Sequence, residues 1–211
     1  MTKNGRRPLT CPNQQSRSLR LFIAARLPEE IKSALAEAQA RLRSPLREAP
    51  VRWTRRDQLH LTLRFLGNVQ PQQVEALIAA GQRACREFAP LRLRAAAVGF
   101  FPNDRFPRVI WAGARDSEDR LALLQRAVQE ATQQFCSEPP DHRFIGHVTL
   151  GRIKDLKRAE TVALVRAASA LAHGCFGEWI ATELELMRSE LSSTGAEHAP
   201  LANFPLGVIP G

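Results

Sequence analysis

The sequence predicts an α+β protein made by duplication: a two-lobed body with a pseudo-twofold axis, each lobe a sheet backed by helices on its outer face, with a cleft between the lobes. Three observations carry that expectation. The pattern His-x-Thr-Leu occurs twice, from His60 and from His147, each time inside an apolar run. Sliding the chain on itself by 87 or 88 positions superposes LFIAA from Leu21 on VIWAG from Val109, and LRLRAAAVGFF from Leu91 on EWIATELELMR from Glu178. Each of the two units, about residues 19–105 and 106–195, reads strand, helix, strand, helix, strand. Two such units could fold as separate domains. The short links and the lack of a Gly/Ser linker favour one body over residues 19–211.

The elements follow in order. LFIAARLP, from Leu21, is a short apolar run closed by proline and reads as a strand. PEEIKSALAEAQARL, from Pro28, reads as the first helix and falls near SEDRLALLQRAVQEA from Ser117. HLTLRFLG, from His60, is the second strand. Pro71 suits the first turn of the next helix, where its missing N–H costs nothing. Val74, Leu77, Ile78, Cys85 and Phe88 then form a stripe of period 3.6. AAAVGFFP, from Ala95, closes the first unit as a strand. The second unit repeats the order with PRVIWAG, a helix on Leu121, Leu124, Val128 and Phe135, HVTLG, a helical stretch from Leu156, and the strand from Glu178. Ser117 is the expected N-cap of the Leu121 helix, with Glu118 and Asp119 beside its positive end.

Composition bounds the class. A chain of 211 residues, 44% apolar and 24% charged, is long enough to bury a sizeable core and reads as soluble and globular. No apolar run approaches the roughly 20 residues of a membrane span. The basic N-terminus has no apolar stretch behind it, so no secretory leader is expected. Cys11, Cys85, Cys136 and Cys175 are scattered, with no C-x-x-C and no histidine at ligand spacing. They read as free thiols of a cytoplasmic protein, not as a zinc site. The net charge of +9 favours a polyanionic partner. Of it, residues 1–20 contribute +5 with no acid, leaving +4 on the rest. Residues 1–18 have no periodicity and read as a disordered basic arm, either a solvated tail or a nonspecific RNA-binding segment.

On a strand, residues i and i+2 share a face about 6.6 Å apart. His60 and Thr62 therefore project together, as do His147 and Thr149, while Leu61, Leu63, Val148 and Leu150 point the other way. Duplication sets the two His/Thr pairs opposite one another around an anion-sized space. That set suits cleavage of a phosphodiester. One imidazole can deprotonate the nucleophile and the other can protonate the leaving oxygen, since histidine titrates near pH 6.5. The threonine hydroxyls can donate to non-bridging oxygens. Arg52, Arg55, Arg56 and Arg64 lie near the first motif, and Arg143, Arg152 and Lys154 near the second. Zinc is the rival chemistry, but it usually takes three protein ligands, and no acid or cysteine lies beside either motif at ligand spacing. His142 reads as a loop residue after Pro139-Pro140, and His173 as a helix C-terminal cap. Trp53, Phe144, Trp111 and Trp179 read as core, the first two with base stacking as the alternative.

With these residues in place, the chain resembles the two-histidine (2H) phosphoesterase superfamily. Within it, the chain is similar to the RNA 2′,3′-cyclic phosphodiesterases, also called the 2′-5′ RNA ligase family. The likeness runs from about Leu19 to Leu206, through RLFIAARLP, RW before HLTLRFLG, VGFFP, PRVIWAG, HVTLGR and the tail RSELSSTGAEHAPLANFPL. The resemblance implies antiparallel sheets lining the cleft. It implies opening of a 2′,3′-cyclic phosphate at an RNA end to a 2′-phosphate, with a reverse-type joining of tRNA halves through a 2′-5′ bond. It also implies no metal and no nucleotide cofactor; a monomer is expected. By position His60 matches the family's general acid, His147 the base that activates water, and Thr62 and Thr149 the phosphate-contacting threonines. Arg152 matches the arginine after the second motif. It stands five residues after His147, whereas Arg64 stands four after His60, so only Arg152 is carried over. Members commonly have tyrosine where this tail has His198, and the arm of residues 1–18 lies outside the family's span. A noncatalytic RNA-end binder, or a 2H phosphodiesterase acting on 2′-5′ oligonucleotides or cyclic ADP-ribose phosphate, are the alternatives.

Overall fold

The computed structural model describes residues 18–46, 49–192 and 195–207. The basic arm expected over residues 1–18 lies outside them, apart from Ser18. Nine strands are present among the described residues: β1 (Leu19–Arg26), β2 (Val51–Trp53), β3 (His60–Val69), β4 (Leu91–Phe101), β5 (Val109–Arg115), β6 (His147–Ile153), β7 (Cys175–Ala181), β8 (Glu183–Ser192) and β9 (Gly195–Pro205). Four helices join them: α1 (Glu29–Arg43), α2 (Val74–Arg86), α3 (Arg120–Thr132) and α4 (Arg158–Ser169). None of the helices is long and apolar enough to cross a membrane.

Local chemistry explains the helix limits. α1 follows Pro28, carries Glu29 and Glu30 in its first turn and Arg41 and Arg43 in its last, and so complements its own dipole at both ends. It buries Ile31, Leu35, Ala38 and Leu42, one stripe of helical period. Pro71 opens a single 3₁₀ turn, Pro71–Gln73, and α2 continues from Val74. Leu77 and Cys85 of the expected stripe are fully buried, with Val74, Ile78 and Phe88 packed against the core. Burial pushes the Cys85 thiol up to about 12. The expected cap of α3 is corrected. Asp116, not Ser117, closes that end: its carboxylate accepts the backbone N–H groups of Arg120 at 2.8 Å and Leu121 at 3.2 Å. Asp119 turns the chain through the left-handed region (φ 55°), which lets the earlier residue reach back. A carboxylate serves two orphan donors where one hydroxyl would serve one.

All strand pairs are antiparallel and join into one sheet of order β7-β4-β5-β6-β3-β1-β8-β9, with β2 on β6. The sheet is curled. A single registered pair, Leu61↔Val148, joins its two halves, so the sheets expected from the resemblance are continuous. The order also shows a strand exchange. By the repeat, β1 corresponds to β5, β3 to β6 and β4 to β8. Yet β4 of the first unit pairs with β5 of the second, and β8 of the second pairs with β1 of the first. The helices cross over likewise: α1 packs on β7 and α4, and α2 packs on α3. Each half of the sheet is thus assembled from both repeat units, and neither unit can bury its apolar face alone.

The helices cover one face of the sheet. Leu61, Leu63, Val148 and Leu150 are at most 3% exposed within one continuous core that also holds Leu35, Leu42, Leu77 and Val128. Each such leucine or valine contributes about 1.5–3 kcal/mol relative to exposure. A one-residue slip of β3 or β6 would move that set to solvent and drive His60 and Thr62, or His147 and Thr149, into the core. The hydrophobic pattern therefore fixes the register that presents the polar residues on the open face.

Candidate active site

β3 and β6 both begin on their histidine. Extending the Leu61↔Val148 register by one residue each way sets His60 opposite Thr149 and Thr62 opposite His147. The four side chains form a two-by-two array on adjoining strands, with like groups on the diagonals. Diagonal positions lie about 7–8 Å apart, room for one phosphate between two imidazoles. All four are partly buried, and neither threonine hydroxyl bonds to another protein group among the described residues.

Each imidazole is oriented in the same way. His60 Nδ1 lies 2.8 Å from the carbonyl of Gln58, and His147 Nδ1 lies 2.7 Å from the carbonyl of Ile145. A carbonyl can only accept, so each Nδ1 carries the proton and each Nε2 is the nitrogen left for chemistry. Aromatic rings wall both histidines. Phe22 stands 5.0 Å from His60 and Phe101 5.0 Å from His147, centroid to centroid. His198 meets the His60 ring edge-on at 5.4 Å, and Trp111 lies 6.4 Å from His147. This shielding from water favours the neutral rings. It pushes His60 down to about 4, helped by His198, His147 and Arg152 and opposed by the Gln58 carbonyl. It also lowers His147, where Arg152 acts in the same direction and the Ile145 carbonyl and Asp141 oppose.

Arg152 reaches the array through a bulge. Between β5 and β6 the register passes from Ile110↔Gly151 to Trp111↔Thr149, leaving Leu150 unmatched. Without that extra residue, a side chain five positions after His147 would face the core; with it, Arg152 shares the histidine face and is exposed. The first unit repeats the device at Leu63, skipped between Arg64 and Thr62 in the β1–β3 register. There the phase change sends Arg64 inward, 4% exposed, and brings Phe65 to the open face, 53% exposed. Phe65, not Arg64, is therefore the counterpart of Arg152.

Arg64 has a structural task instead. Its Nη1 donates to Gln129 Oε1 and the Pro139 carbonyl, and its Nη2 to Gln133 Oε1, the Glu138 carbonyl and Cys136 Sγ. It pins the segment that leads into His147. Arg64→Ala should cost about 3 kcal/mol, because several buried acceptors lose their donor at once. Arg64→Lys should recover little, since an ammonium cannot reproduce the fork. Denaturant midpoints of the three proteins check this.

The other expected residues scatter. Arg55 pairs with Asp57 at 2.8 Å and Arg56 with Glu29 at 3.1 Å, both on the surface. Arg52 stands across β2 from Arg152. Arg143 borders a 360 Å³ pocket with Thr62, Phe65, Phe101 and His147, and Lys154 is exposed. His142 is exposed in its loop, and His173 sits in a turn beyond the end of α4. Trp53 packs on the core under the Arg43 guanidinium, Phe144 packs on the core, and Trp179 is buried. Trp111, expected in the core, is only partly buried and stands beside both Phe101 and His147. Phe22, Phe101 and His198 were not picked out as neighbours of the histidines. They stand on β1, the end of β4 and β9, and no spacing in the sequence marks them, because only the pairing of the strands brings them beside the histidines.

The chain is similar in sequence and in fold to known proteins. The family model described as LigT-like phosphoesterase matches residues 26–111 and 113–196, two stretches that begin 87 positions apart. The chain is 36% identical over 194 residues to the RNA 2′,3′-cyclic phosphodiesterase of Thermus thermophilus, covering 89% of this chain and 90% of that one. It superposes on the crystal structure of the Thermus thermophilus protein TT0787 with a TM-score of 0.74 at 32% identity, covering 90% and 99% of the two chains. On Escherichia coli LigT complexed with phosphate the TM-score is 0.66 at 26% identity, covering 91% and 99%.

Proposed function

The chain belongs to the LigT-like phosphoesterase family, and from that premise we propose that it hydrolyses the 2′,3′-cyclic phosphodiester at an RNA end to a 2′-phosphomonoester. The observation that carries the reading is the diagonal pair of imidazoles with free Nε2 atoms, each opposite the other's threonine. Water attacks phosphorus as its proton passes to Nε2 of His147. The P–O3′ bond breaks as Nε2–H of His60 gives its proton to O3′, and the P–O2′ bond stays. Thr62 and Thr149 donate to the non-bridging oxygens, and Arg152 balances the charge that builds there. The near symmetry of the array suits either direction of proton flow; the resemblance gives His60 the acid role and His147 the base. No metal or nucleotide takes part in this scheme. RNA ends bearing cyclic phosphates, tRNA halves among them, are the proposed substrates, met by a monomer in the cytoplasm. A reducing compartment fits Cys85, Cys136 and Cys175, all unpaired.

The test is turnover of a nucleoside 2′,3′-cyclic phosphate in EDTA across pH. Activity should persist in EDTA; its loss would point to a metal, and binding without turnover to an RNA-end binder. One histidine must be charged and the other neutral, and both free-enzyme pKa values lie below the usual 6.5. So kcat/KM should be flat between those two values and fall with rising pH above 6.5, about tenfold per unit. A profile that still rises between pH 6.5 and 8 would contradict the scheme.

A further inference from the structure

The open face of the sheet carries a second feature that the acid–base scheme does not use. On β5, Trp111, Gly113 and Arg115 alternate onto the histidine face, and Gly113 is registered directly against His147. Arg115 therefore stands about 6.6 Å beyond the residue beside the base. Across on β4, Arg94 is registered directly against Arg115. Together with Arg92 they line a 730 Å³ pocket that opens beside Trp111. Gly113 keeps its floor low, since a Cβ there would lie 2.8 Å from the Ala96 carbonyl.

Two like charges directly opposite on neighbouring strands repel. Arg94 and Arg115 are both exposed, and neither has an ion pair among the described residues. Two acids share the pocket, and one of them, Glu178 on β7, is registered against Arg94 from the other side. Asp116 uses both oxygens to cap α3, and Glu178 stands 3.7 Å from Arg92. The pocket on the His60 side, 610 Å³, is different. Its three cations are each paired: Arg26 with Glu185, Lys32 with Glu29, and Arg55 with Asp57. Of these two pockets, the one beyond His147 is the one that offers unpaired guanidiniums among the described residues.

We infer that the pocket of Arg94, Arg115 and Trp111 is a subsite for a phosphodiester of the RNA chain itself, at least one nucleotide away from the reacting cyclic phosphate. Two uncommitted guanidiniums match the oxygens of a backbone phosphate, and Trp111 offers an aromatic edge to the adjoining nucleoside. The inference rests on the proposed RNA-end reaction and names its substrate class: oligonucleotides in preference to single nucleotides.

The test compares kcat/KM for a nucleoside 2′,3′-cyclic phosphate with that for a hexaribonucleotide ending in the same group, in wild type, R94A/R115A and R94K/R115K. Wild type should prefer the hexamer, and R94A/R115A should lose roughly tenfold or more on the hexamer while staying within about twofold on the nucleotide. Its slope of log kcat/KM against log salt for the hexamer should fall by about 0.7, one single-strand phosphate's worth. The lysine variant should keep the salt slope. No chain-length preference in wild type, or an equal loss on both substrates, would overturn the subsite. Binding of a hexamer ending in a 2′-phosphate, against the nucleoside 2′-phosphate, reads the same pocket without turnover. Arginine-dependent binding in a protein with no turnover would support the subsite and sink the catalytic reading; equal binding by wild type and R94A/R115A in a protein that turns over would sink the subsite and leave the catalytic reading in place.

Discussion

His60→Ala and His147→Ala are each expected to lower the rate of cyclic phosphate opening by about 10²–10⁴-fold, the usual worth of one proton-transfer group. The folded structure should survive both changes. Each ring is held by a backbone carbonyl and an aromatic neighbour at the start of a strand, outside the leucine core. Thermal midpoints should therefore stay the same or rise, since a shielded imidazole is a site where protonation opposes folding below pH 6.5. The double variant should lose little more than either single one, because the two groups act in one step. Substrate choice separates the roles. A phosphodiester with a nitrophenolate leaving group needs no proton on departure, so it should restore most of the rate to His60→Ala and none to His147→Ala. Rescue of the other variant would swap acid and base. If neither alanine variant loses activity, the assignment of chemistry to this array fails.

Arg152→Ala is expected to cost about 10²–10³-fold in kcat, comparable to removing one preorganised donor from an oxyanion site. Arg152 is exposed and lies within electrostatic reach of both histidines, lowering each of them. Its removal should therefore leave stability within about 0.5 kcal/mol, as at other exposed positions. The same change should move the acid limb of the pH profile upward, as the histidines lose a repelling charge. Arg64→Ala should show the opposite pattern, a large loss of stability without that shift of pKa. Steady-state kinetics and denaturant melts on the two variants test the pair together. An Arg152→Ala enzyme within threefold of wild type would contradict its place at the phosphate.

Much of the fold was legible because duplication writes itself twice. The 87-residue offset found β1, β3, β4, β5 and β6, while the single strand expected from Glu178 is two, β7 and β8, parted at Thr182, and β2 and β9 were not expected. Alternation along HLTL and HVTL put the apolar residues on one face and the histidine and threonine on the other. Three things were not legible, each for a physical reason. An offset shows which strands are equivalent, not which copies pair, so the exchange of β4 and β8 between units left no mark. The bulges at Leu63 and Leu150 are register events: both residues are ordinary buried leucines, and only the partner strand shows that one of them is extra. Spacing and resemblance single out Arg152 rather than Arg64, and the bulge at Leu150 is what turns Arg152 onto the histidine face. The walls of the site, Phe22, Phe101 and His198, come from β1, the end of β4 and β9, elements distant in sequence that only the sheet order brings together. Cap rules favour Ser117 over Asp116 because they assume a chain that enters the helix without the left-handed step at Asp119.

The central claim is that both imidazoles serve one phosphorus atom. A crystal structure of the protein with bound vanadate tests it most directly. Both Nε2 atoms should lie within about 3 Å of oxygens on the same vanadium, on opposite sides of it, with the Thr62 and Thr149 hydroxyls on the remaining oxygens. Vanadate contacted by one histidine alone, or seated away from both, would contradict the account.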